Sequence, residues 1–386
     1  MSDLPTARRG RWSVALALLG TVPLALLAAL VLLPTMAMPM LPGVVVATEY
    51  SPPIALLTLG WLLVARALLR GRARMRAVVT VVLLAAAAID CWPLARFDGV
   101  AQAASEQLGT DEAVRYSLLD AFRPPRQAGA VRERTVAYSA ADGSPLELRL
   151  FTGPVPGARP TVVVIYGGAW RGGEPTQAAG VSRALASRGY TVAAIDYRHA
   201  PAARYPAQLQ DVRRSLALLR DSAVAWQVDP ARLALLGRSA GGHLAELAAW
   251  APGAPPVRAV VSLYAPFDLV QGYVDLPSPD PIDVRAVLRD FLGGTPAQQP
   301  ARYREASPAT WVRPGLPPTL LLFGGRDRLV KPLFNRGAAA RLRAADVPVI
   351  AVEVPWAEHG FDMAPGGLGA QLAMHVIGVF LEKQLR

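Results

Sequence analysis

Residues 233–242 read Leu-Ala-Leu-Leu-Gly-Arg-Ser-Ala-Gly-Gly, an apolar run, a glycine-flanked serine and the start of a helix-like stretch that continues to Trp250. A strand, a sharp turn and a helix in this order form the context in which a serine nucleophile is exposed. Glycines on both sides of Ser239 let the strand and the helix pack closely around it. The pattern alone also occurs as an ordinary glycine turn. The flanking elements favour the catalytic interpretation, which predicts that Ser239 is a nucleophile.

One of the four histidines lies where a base for Ser239 is needed. A serine hydroxyl requires a base that takes its proton and a third group that orients the base. His359 follows the last predicted strand, in a loop from which its side chain can reach the turn. The other histidines follow a different strand or lie in predicted helices: His199, His243 and His375. His359 is therefore the predicted base.

The orienting acid is expected after an earlier strand. The apolar run 320–323 is typical of a buried parallel strand, and it leads through Gly-Gly-Arg to Asp327. Asp327 thus lies at the carboxyl end of a strand, where α/β sheets place functional groups. The alternative is a surface aspartate paired with a neighbouring arginine. Three other aspartates are weaker candidates, because they precede or closely follow strands other than the one expected to carry the orienting acid: Asp196, Asp211 and Asp268. The order Ser239, Asp327, His359 is that of an α/β-hydrolase triad.

A second glycine pair follows an earlier strand and predicts an oxyanion hole. The strand 161–165 runs into Tyr166-Gly167-Gly168-Ala169-Trp170. The backbone N–H groups of Gly167 and Gly168, together with that of Ala240, would bind the oxyanion of a tetrahedral intermediate, at roughly 3–4 kcal/mol per donor. A glycine turn without this role is the alternative. This chemistry needs neither a cofactor nor a metal.

From Val131 onward, strands alternate with helices, which predicts an α/β domain over residues 131–386 with a mostly parallel eight-stranded sheet and helices on both faces. Strands are predicted near 132–138, 145–152, 161–166, 191–195, 232–236, 257–263, 318–323 and 348–354. Helices are predicted near 176–188, 207–221, 241–250, 331–344 and 366–384. Residues 271–312, rich in proline and aspartate, interrupt the alternation and are predicted to form a small cap insertion.

Residues 1–92 are predicted to be a transmembrane anchor, because a bilayer core takes about 20 apolar residues to cross and this region is strongly apolar. Its three apolar runs are predicted as helices 13–34, 53–70 and 77–92. A cleaved signal peptide is the competing interpretation of the first run. Two further apolar runs follow it, so the anchor is favoured.

Arginines mark the predicted cytoplasmic side of the anchor. They cluster at 8–11, before the first run, and at 66–76, between the second and third runs. The positive-inside rule then predicts a multi-pass protein of the cell membrane with its catalytic domain outside. Because many arginines lie at membrane ends, the net charge of +11 does not require nucleic-acid binding. The single cysteine, Cys91, excludes an intrachain disulfide and a cysteine-based metal cluster.

Residues 93–130 are predicted to be a connector or a lid. Residues 101–108 and 111–122 have mixed apolar and polar spacing that suggests helical pieces, and the Pro124-Pro125 pair closes the segment. A lid here would lie between the anchor and the active site.

The motifs together resemble the α/β-hydrolases of the hormone-sensitive-lipase and related esterase type, from about Val131 to the C-terminus. The matching pieces include residues 166–170, Asp196-Tyr197-Arg198, residues 237–242, Asp327 and His359. The resemblance implies hydrolysis of carboxylic esters without a cofactor. One position departs from the family, which usually has histidine where this chain has Tyr166. That histidine orients the oxyanion loop and is not the base, so the triad is unaffected.

We therefore expect a membrane-anchored serine carboxylesterase or lipase acting on hydrophobic esters. The same triad would also serve a deacetylase or acyltransferase acting on an envelope lipid or glycan, or an amidase. A binding module that retains only the hydrolase shell is the non-enzymatic alternative. Inactive relatives usually lose a triad residue, and all three are present here.

Overall fold

The computed structural model describes residues 4–123, 130–153 and 157–386. For residues 4–11 it describes the backbone only, and from Trp12 onward it also describes the side chains. The arginine side chains at positions 8–11 and the Pro124-Pro125 pair lie outside the described residues.

Eight strands form one sheet within the described part of the chain. They are β1 Arg132–Ser139, β2 Pro145–Thr152, β3 Arg159–Ile165, β4 Thr191–Ile195, β5 Val228–Arg238, β6 Ala259–Leu263, β7 Thr319–Gly324 and β8 Val349–Val354. Their order across the sheet is β1-β2-β4-β3-β5-β6-β7-β8. The pairs β1–β2 and β2–β4 are antiparallel, and all other neighbours are parallel. The predicted mostly parallel eight-stranded sheet is confirmed.

The central strands are buried along their whole length, which explains their composition. Every residue of β4, β6 and β7 is buried, and their sequences TVAAI, AVVSL and TLLLFG are almost entirely apolar. A parallel strand covered on both faces needs an unbroken apolar run, because neither face meets water. The carboxyl ends of β3, β5, β7 and β8 lead into the four predicted site loops.

Twelve α-helices accompany the sheet in the described residues. They are α1 Leu4–Leu32, α2 Leu41–Glu49, α3 Ser51–Leu68, α4 Ala73–Leu108, α5 Ala179–Ser187, α6 Ala207–Asp221, α7 Ala240–Trp250, α8 Leu269–Val274, α9 Val284–Leu292, α10 Pro300–Glu305, α11 Pro332–Ala344 and α12 Leu368–Leu385. The three short helices α8, α9 and α10 fall in and beside the region predicted as a cap insertion.

Helices α1, α3 and α4 form an N-terminal bundle with an apolar interior and an apolar exterior. Ala17, Leu62 and Leu83 are buried between the helices. Leu19 and Leu63 point outward, each with 71% of its surface exposed. All three helices are long and apolar enough to cross a membrane by length and composition. A helix that is apolar on every side is typical of a membrane span.

The third membrane-length helix is longer than predicted. The predicted helix 77–92 ends just before Pro93, a residue type that removes a backbone hydrogen bond in a helix interior. Helix α4 instead continues through Pro93 to Leu108 and ends at Gly109 in a left-handed conformation. The boundary predicted between residues 92 and 93 therefore falls inside a continuous helix.

The predicted connector or lid is divided between this helix and a short irregular segment. The Phe97 ring lies 6.2 Å from the Trp356 ring, and Gln107 exchanges two hydrogen bonds with the Ala351 backbone on β8. The end of α4 thus packs against the edge of the sheet. Residues 111–122 contain only a 3-10 turn at Asp120–Phe122 instead of the suggested longer helical piece.

Candidate active site

Ser239 occupies the sharp turn between β5 and α7. Its backbone has φ +53° and ψ −122°, a conformation that non-glycine residues rarely adopt, and its N–H donates to the Leu263 carbonyl at 2.9 Å. A Cβ on Gly237 would lie 2.1 Å from the Gly241 carbonyl oxygen, and one on Gly241 would lie 2.2 Å from the Ile165 carbonyl oxygen. Only glycine fits at either position, so the flanking glycines permit the close packing that holds the strained serine.

The structure brings the three predicted triad residues together. Ser239 Oγ lies 3.0 Å from His359 Nε2, and His359 Nδ1 lies 2.8 Å from Asp327 Oδ2. The other carboxylate oxygen of Asp327 accepts hydrogen bonds from the backbone N–H groups of Leu329 and Val330, both at 2.8 Å. The carboxylate is therefore fixed in orientation, and the imidazole is placed to accept a proton from the serine hydroxyl.

The surroundings of His359 change its basicity. Burial lowers the pKa of the imidazole, but the Asp327 carboxylate, with smaller contributions from Glu358 and Asp362, outweighs burial and raises the pKa above its ordinary value of about 6.5. The Tyr264 ring covers one side of the imidazole, with ring centroids 4.5 Å apart. His359 is therefore a stronger base than a free histidine.

The predicted oxyanion residues border the same cavity as Ser239. A Cβ built on Gly167 would lie 3.1 Å from the Ser239 Cβ, so this loop runs directly beside the nucleophile. The N–H groups of Gly167 and Gly168 have no acceptor among the described residues. Ala240 opens α7, and the first N–H groups of a helix lack an acceptor within the helix. Three backbone donors are thus available next to Ser239.

The Tyr166 side chain holds the oxyanion loop in place through several contacts. Its hydroxyl donates to Asp196 Oδ1 at 2.5 Å and lies 2.9 Å from His199 Nε2, while its ring stacks on Tyr197 with centroids 4.4 Å apart. Burial raises the pKa of the Tyr166 phenol, so the hydroxyl keeps its proton and acts as a donor. Tyrosine at this position therefore holds the loop through side-chain contacts of its own.

A buried ion pair next to the nucleophile was not anticipated from the sequence. Arg238 Nε lies 2.5 Å from Asp362 Oδ2, with both side chains almost fully buried, and Tyr264 donates to Asp362 Oδ1 at 2.5 Å. Asp362 lies three residues after His359, so the pair ties the histidine loop to the turn that carries Ser239. The partners are 124 residues apart in the chain, and neither belongs to a local motif that would have revealed the pairing.

The site opens into a cavity of about 390 Å³ with mostly apolar walls. Helices α8 and α9, which lie in and beside the region predicted as a cap, contribute Leu269, Val287 and Leu288. Two further wall residues, Met38 and Leu41, come from the segment between the first two membrane-length helices. Cavities of this size and composition hold small organic ligands.

The remaining histidines are not placed to act on Ser239. His243 is buried beside Trp170, its Nε2 lies 2.6 Å from the Ala306 carbonyl oxygen, and burial lowers its pKa to about 4. His375 lies on α12 and borders a separate surface groove. In the described chain, no group of three or more His, Cys, Asp or Glu side chains could hold a metal ion.

Comparison with known proteins gives several esterases among the relatives of this chain. The BD-FAE family model matches residues 154–336. Carboxylesterase NlhH of Mycobacterium tuberculosis is 30% identical over 269 residues, which cover 65% of this chain and 82% of NlhH. Esterase LipC of the same organism is 32% identical over 243 residues, and the chain spans only 58% of its length.

Solved structures agree with these sequence relatives. A bacterial heroin esterase is 25% identical and superimposes with a TM-score of 0.58, covering 66% of this chain and 85% of that protein. Esterase 2 of the planctomycete Thermogutta terrifontis is also 25% identical, with a TM-score of 0.54 over 67% of this chain and 94% of its own. These similarities confirm the predicted α/β-hydrolase fold.

Proposed function

This chain belongs to the hormone-sensitive-lipase-type bacterial esterases, and from that membership we propose that it is a serine carboxylesterase acting through an acyl-enzyme. The observation that carries the proposal is the 3.0 Å distance between Ser239 Oγ and His359 Nε2, continued by the 2.8 Å contact of His359 Nδ1 with Asp327 Oδ2. Nucleophile, base and orienting acid are thus within hydrogen-bond reach of one another, as covalent catalysis requires.

The reaction proceeds in two halves. Ser239 Oγ attacks the ester carbonyl carbon while His359 Nε2 takes the hydroxyl proton, and Asp327 stabilises the resulting imidazolium. The N–H groups of Gly167, Gly168 and Ala240 bind the oxyanion. Collapse of the intermediate breaks the bond to the alcohol oxygen, which receives the proton from His359. Water, deprotonated by His359, then attacks the acyl-enzyme, and the carboxylic acid leaves as Ser239 regains its proton.

The cavity walls favour esters with an apolar portion. Leu288, Val330 and Phe334 line the space beside Ser239, and burial of apolar surface contributes about 25 cal/mol per Å². Residues of helices α8 and α9 line this space, which supports the role of residues 271–312 as a substrate-binding cap.

The N-terminal bundle is proposed to anchor the enzyme in the cell membrane. Large apolar side chains such as Leu19 and Leu63 are exposed on its outer face, where lipid would cover them. The arginine-rich turn after α3 lies at the end of the bundle remote from the sheet, since α3 is about 27 Å long and begins at Ser51, beside the catalytic domain. The positive-inside rule then places that turn in the cytoplasm and the catalytic domain outside.

The proposal is tested by ester turnover of the full-length protein in detergent. Ser239→Ala is expected to lower kcat by about 10⁶-fold, because no other group replaces the attacking oxygen. Ser139→Ala is a matched control, since Ser139 is exposed at the end of β1, and it is expected to leave turnover unchanged. Equal turnover by the wild type and Ser239→Ala would refute the assignment.

A further inference from the structure

The segment between α1 and α3, residues 33–50, is bonded directly to the neighbours of the triad. We call it the interhelical segment. Arg326, which precedes Asp327, donates to the Leu33 carbonyl at 2.9 Å. The Thr35 hydroxyl donates to Glu358 Oε2 at 2.8 Å, and Glu358 precedes His359. Thr35 is completely buried. The end of a membrane-length helix is therefore attached one residue away from two members of the triad.

The other end of the interhelical segment is attached as firmly. Glu49 is completely buried, and one of its carboxylate oxygens accepts hydrogen bonds from the N–H groups of Gly369, at 2.6 Å, and Ala370, at 3.1 Å. The neighbouring Tyr50 hydroxyl donates to the Pro365 carbonyl at 2.6 Å. These contacts fix both ends of the segment on the catalytic domain, so its middle has a defined position.

The middle of the segment reaches the cavity. Met38 and Leu41 line the same space as Ser239 and His359. Helix α1 ends at Leu32, only six residues before Met38, and the side chains of Leu32 and Leu33 are exposed. The apolar wall of the cavity is thus close to the end of an apolar helix that the proposed anchor places in lipid.

We infer that the interhelical segment is a wall of the active site, and that the substrate is a bilayer-resident ester whose acyl chain enters the cavity past Met38 and Leu41. The inference rests on the proposed esterase function, because it assigns a substrate class to that same site. A water-soluble short-chain ester would reach Ser239 without using this wall. A long acyl chain would be transferred from lipid to the cavity with its apolar surface in contact with these two side chains, and would avoid exposure to water.

Two cavity-filling variants test the wall. In the full-length protein in detergent, kcat/KM is measured for 4-nitrophenyl palmitate and 4-nitrophenyl acetate. Met38→Trp and Leu41→Trp are each expected to lower the palmitate-to-acetate ratio by roughly tenfold, because the larger ring occupies the path of the chain. Met36→Trp is the matched control, since Met36 belongs to the same segment, is 55% exposed and does not border the cavity. Its ratio is expected to stay at the wild-type value.

A ratio that stays unchanged in both cavity variants, or that falls equally in the control, would overturn the inference. Labelling of Ser239 by a fluorophosphonate shows that the site is assembled in each variant. Met38→Gln provides a second, smaller change at one position, and its polar amide is also expected to lower the ratio.

Reconstitution tests entry from the bilayer. The protein is placed in phosphatidylcholine vesicles, and a fluorogenic long-chain ester that does not exchange between vesicles is placed either in the same vesicles or in separate ones. Hydrolysis is expected only when enzyme and ester share a bilayer, and equal rates in the two preparations would overturn the inference. The water-soluble acetate ester is added to both preparations as a separate readout. Failure to hydrolyse either ester would refute the esterase function itself, whereas normal hydrolysis of the acetate ester with equal long-chain rates would refute only bilayer entry.

Discussion

The Tyr166 hydroxyl lies 2.5 Å from Asp196 Oδ1, so the residue that precedes the oxyanion glycines is held by a carboxylate at the end of the neighbouring strand. The family usually has histidine at this position, and the sequence alone left open how tyrosine would support the loop. The stacked Tyr197 ring and the bond to His199 complete the support.

We expect Tyr166→Phe to lower kcat by about tenfold or more while KM changes little, since a buried hydrogen bond to a charged group contributes roughly 1.5–3 kcal/mol. The loop binds charge that develops only in the transition state, which is why kcat should carry the effect. Steady-state kinetics with a short-chain ester provide the measurement. Tyr190→Phe is the control, because Tyr190 precedes β4 at the opposite end of the sheet. A loss confined to KM would contradict this role.

The buried pair of Arg238 and Asp362 should be important for stability as well as for activity. Asp362→Asn leaves the buried Arg238 guanidinium without its carboxylate, which typically costs about 3–5 kcal/mol. We expect a clear fall in the thermal unfolding midpoint in detergent. Glu382→Gln breaks the exposed pair with Arg386 and should cost about 0–1 kcal/mol. Similar thermal unfolding midpoints for the two variants would show that the buried ion pair does not stabilise the fold.

The acid limb of the pH profile should reflect His359. The base must be neutral to accept a proton, and its pKa is raised by Asp327, so kcat/KM should fall as pH drops through a value above the ordinary 6.5 or so. Asp327→Asn should lower kcat by about 10⁴-fold, because the imidazole loses its orienting carboxylate. His375→Gln should leave the pH at which kcat/KM falls unchanged. A profile that stays flat to about pH 4 would exclude a histidine base.

Membrane topology can be checked with reporters fused after residues 45, 73 and 130. Arginine is retained on the cytoplasmic side during insertion, so the cluster at 66–76 should stay inside. We expect outside, inside and outside at the three positions. A cytoplasmic signal after residue 130 would mean that one helix does not span, and it would move the search for substrates to the cytoplasm.

The features predicted from the sequence are those specified by local chemistry. Local sequence is enough to predict the strands β3, β5 and β7, because each contains an unbroken apolar run. It is also enough to predict the turn at Ser239, because glycines flank the serine closely. The end predicted at Trp92 is wrong, because α4 continues through Pro93 and its later residue Phe97 packs against the distant Trp356.

The missed features depend on contacts between distant parts of the chain. Thr35 and Glu358 are 323 residues apart, and no periodicity or motif in either segment indicates that they meet. The same holds for Glu49, which in the sequence is simply the first charged residue after a long apolar stretch. Its role becomes visible once the N-terminus of α12 is placed beside it.

Trapping the acyl-enzyme tests the central claim most directly. The full-length protein is mixed with 4-nitrophenyl butyrate, quenched in acid during the first turnover and digested for peptide mass spectrometry. We expect the peptide that contains Ser239 to gain the mass of one butyryl group, and Ser239→Ala to gain none anywhere while its unfolding midpoint stays at the wild-type value. A butyryl group on another residue, or continued turnover by Ser239→Ala, would contradict the account.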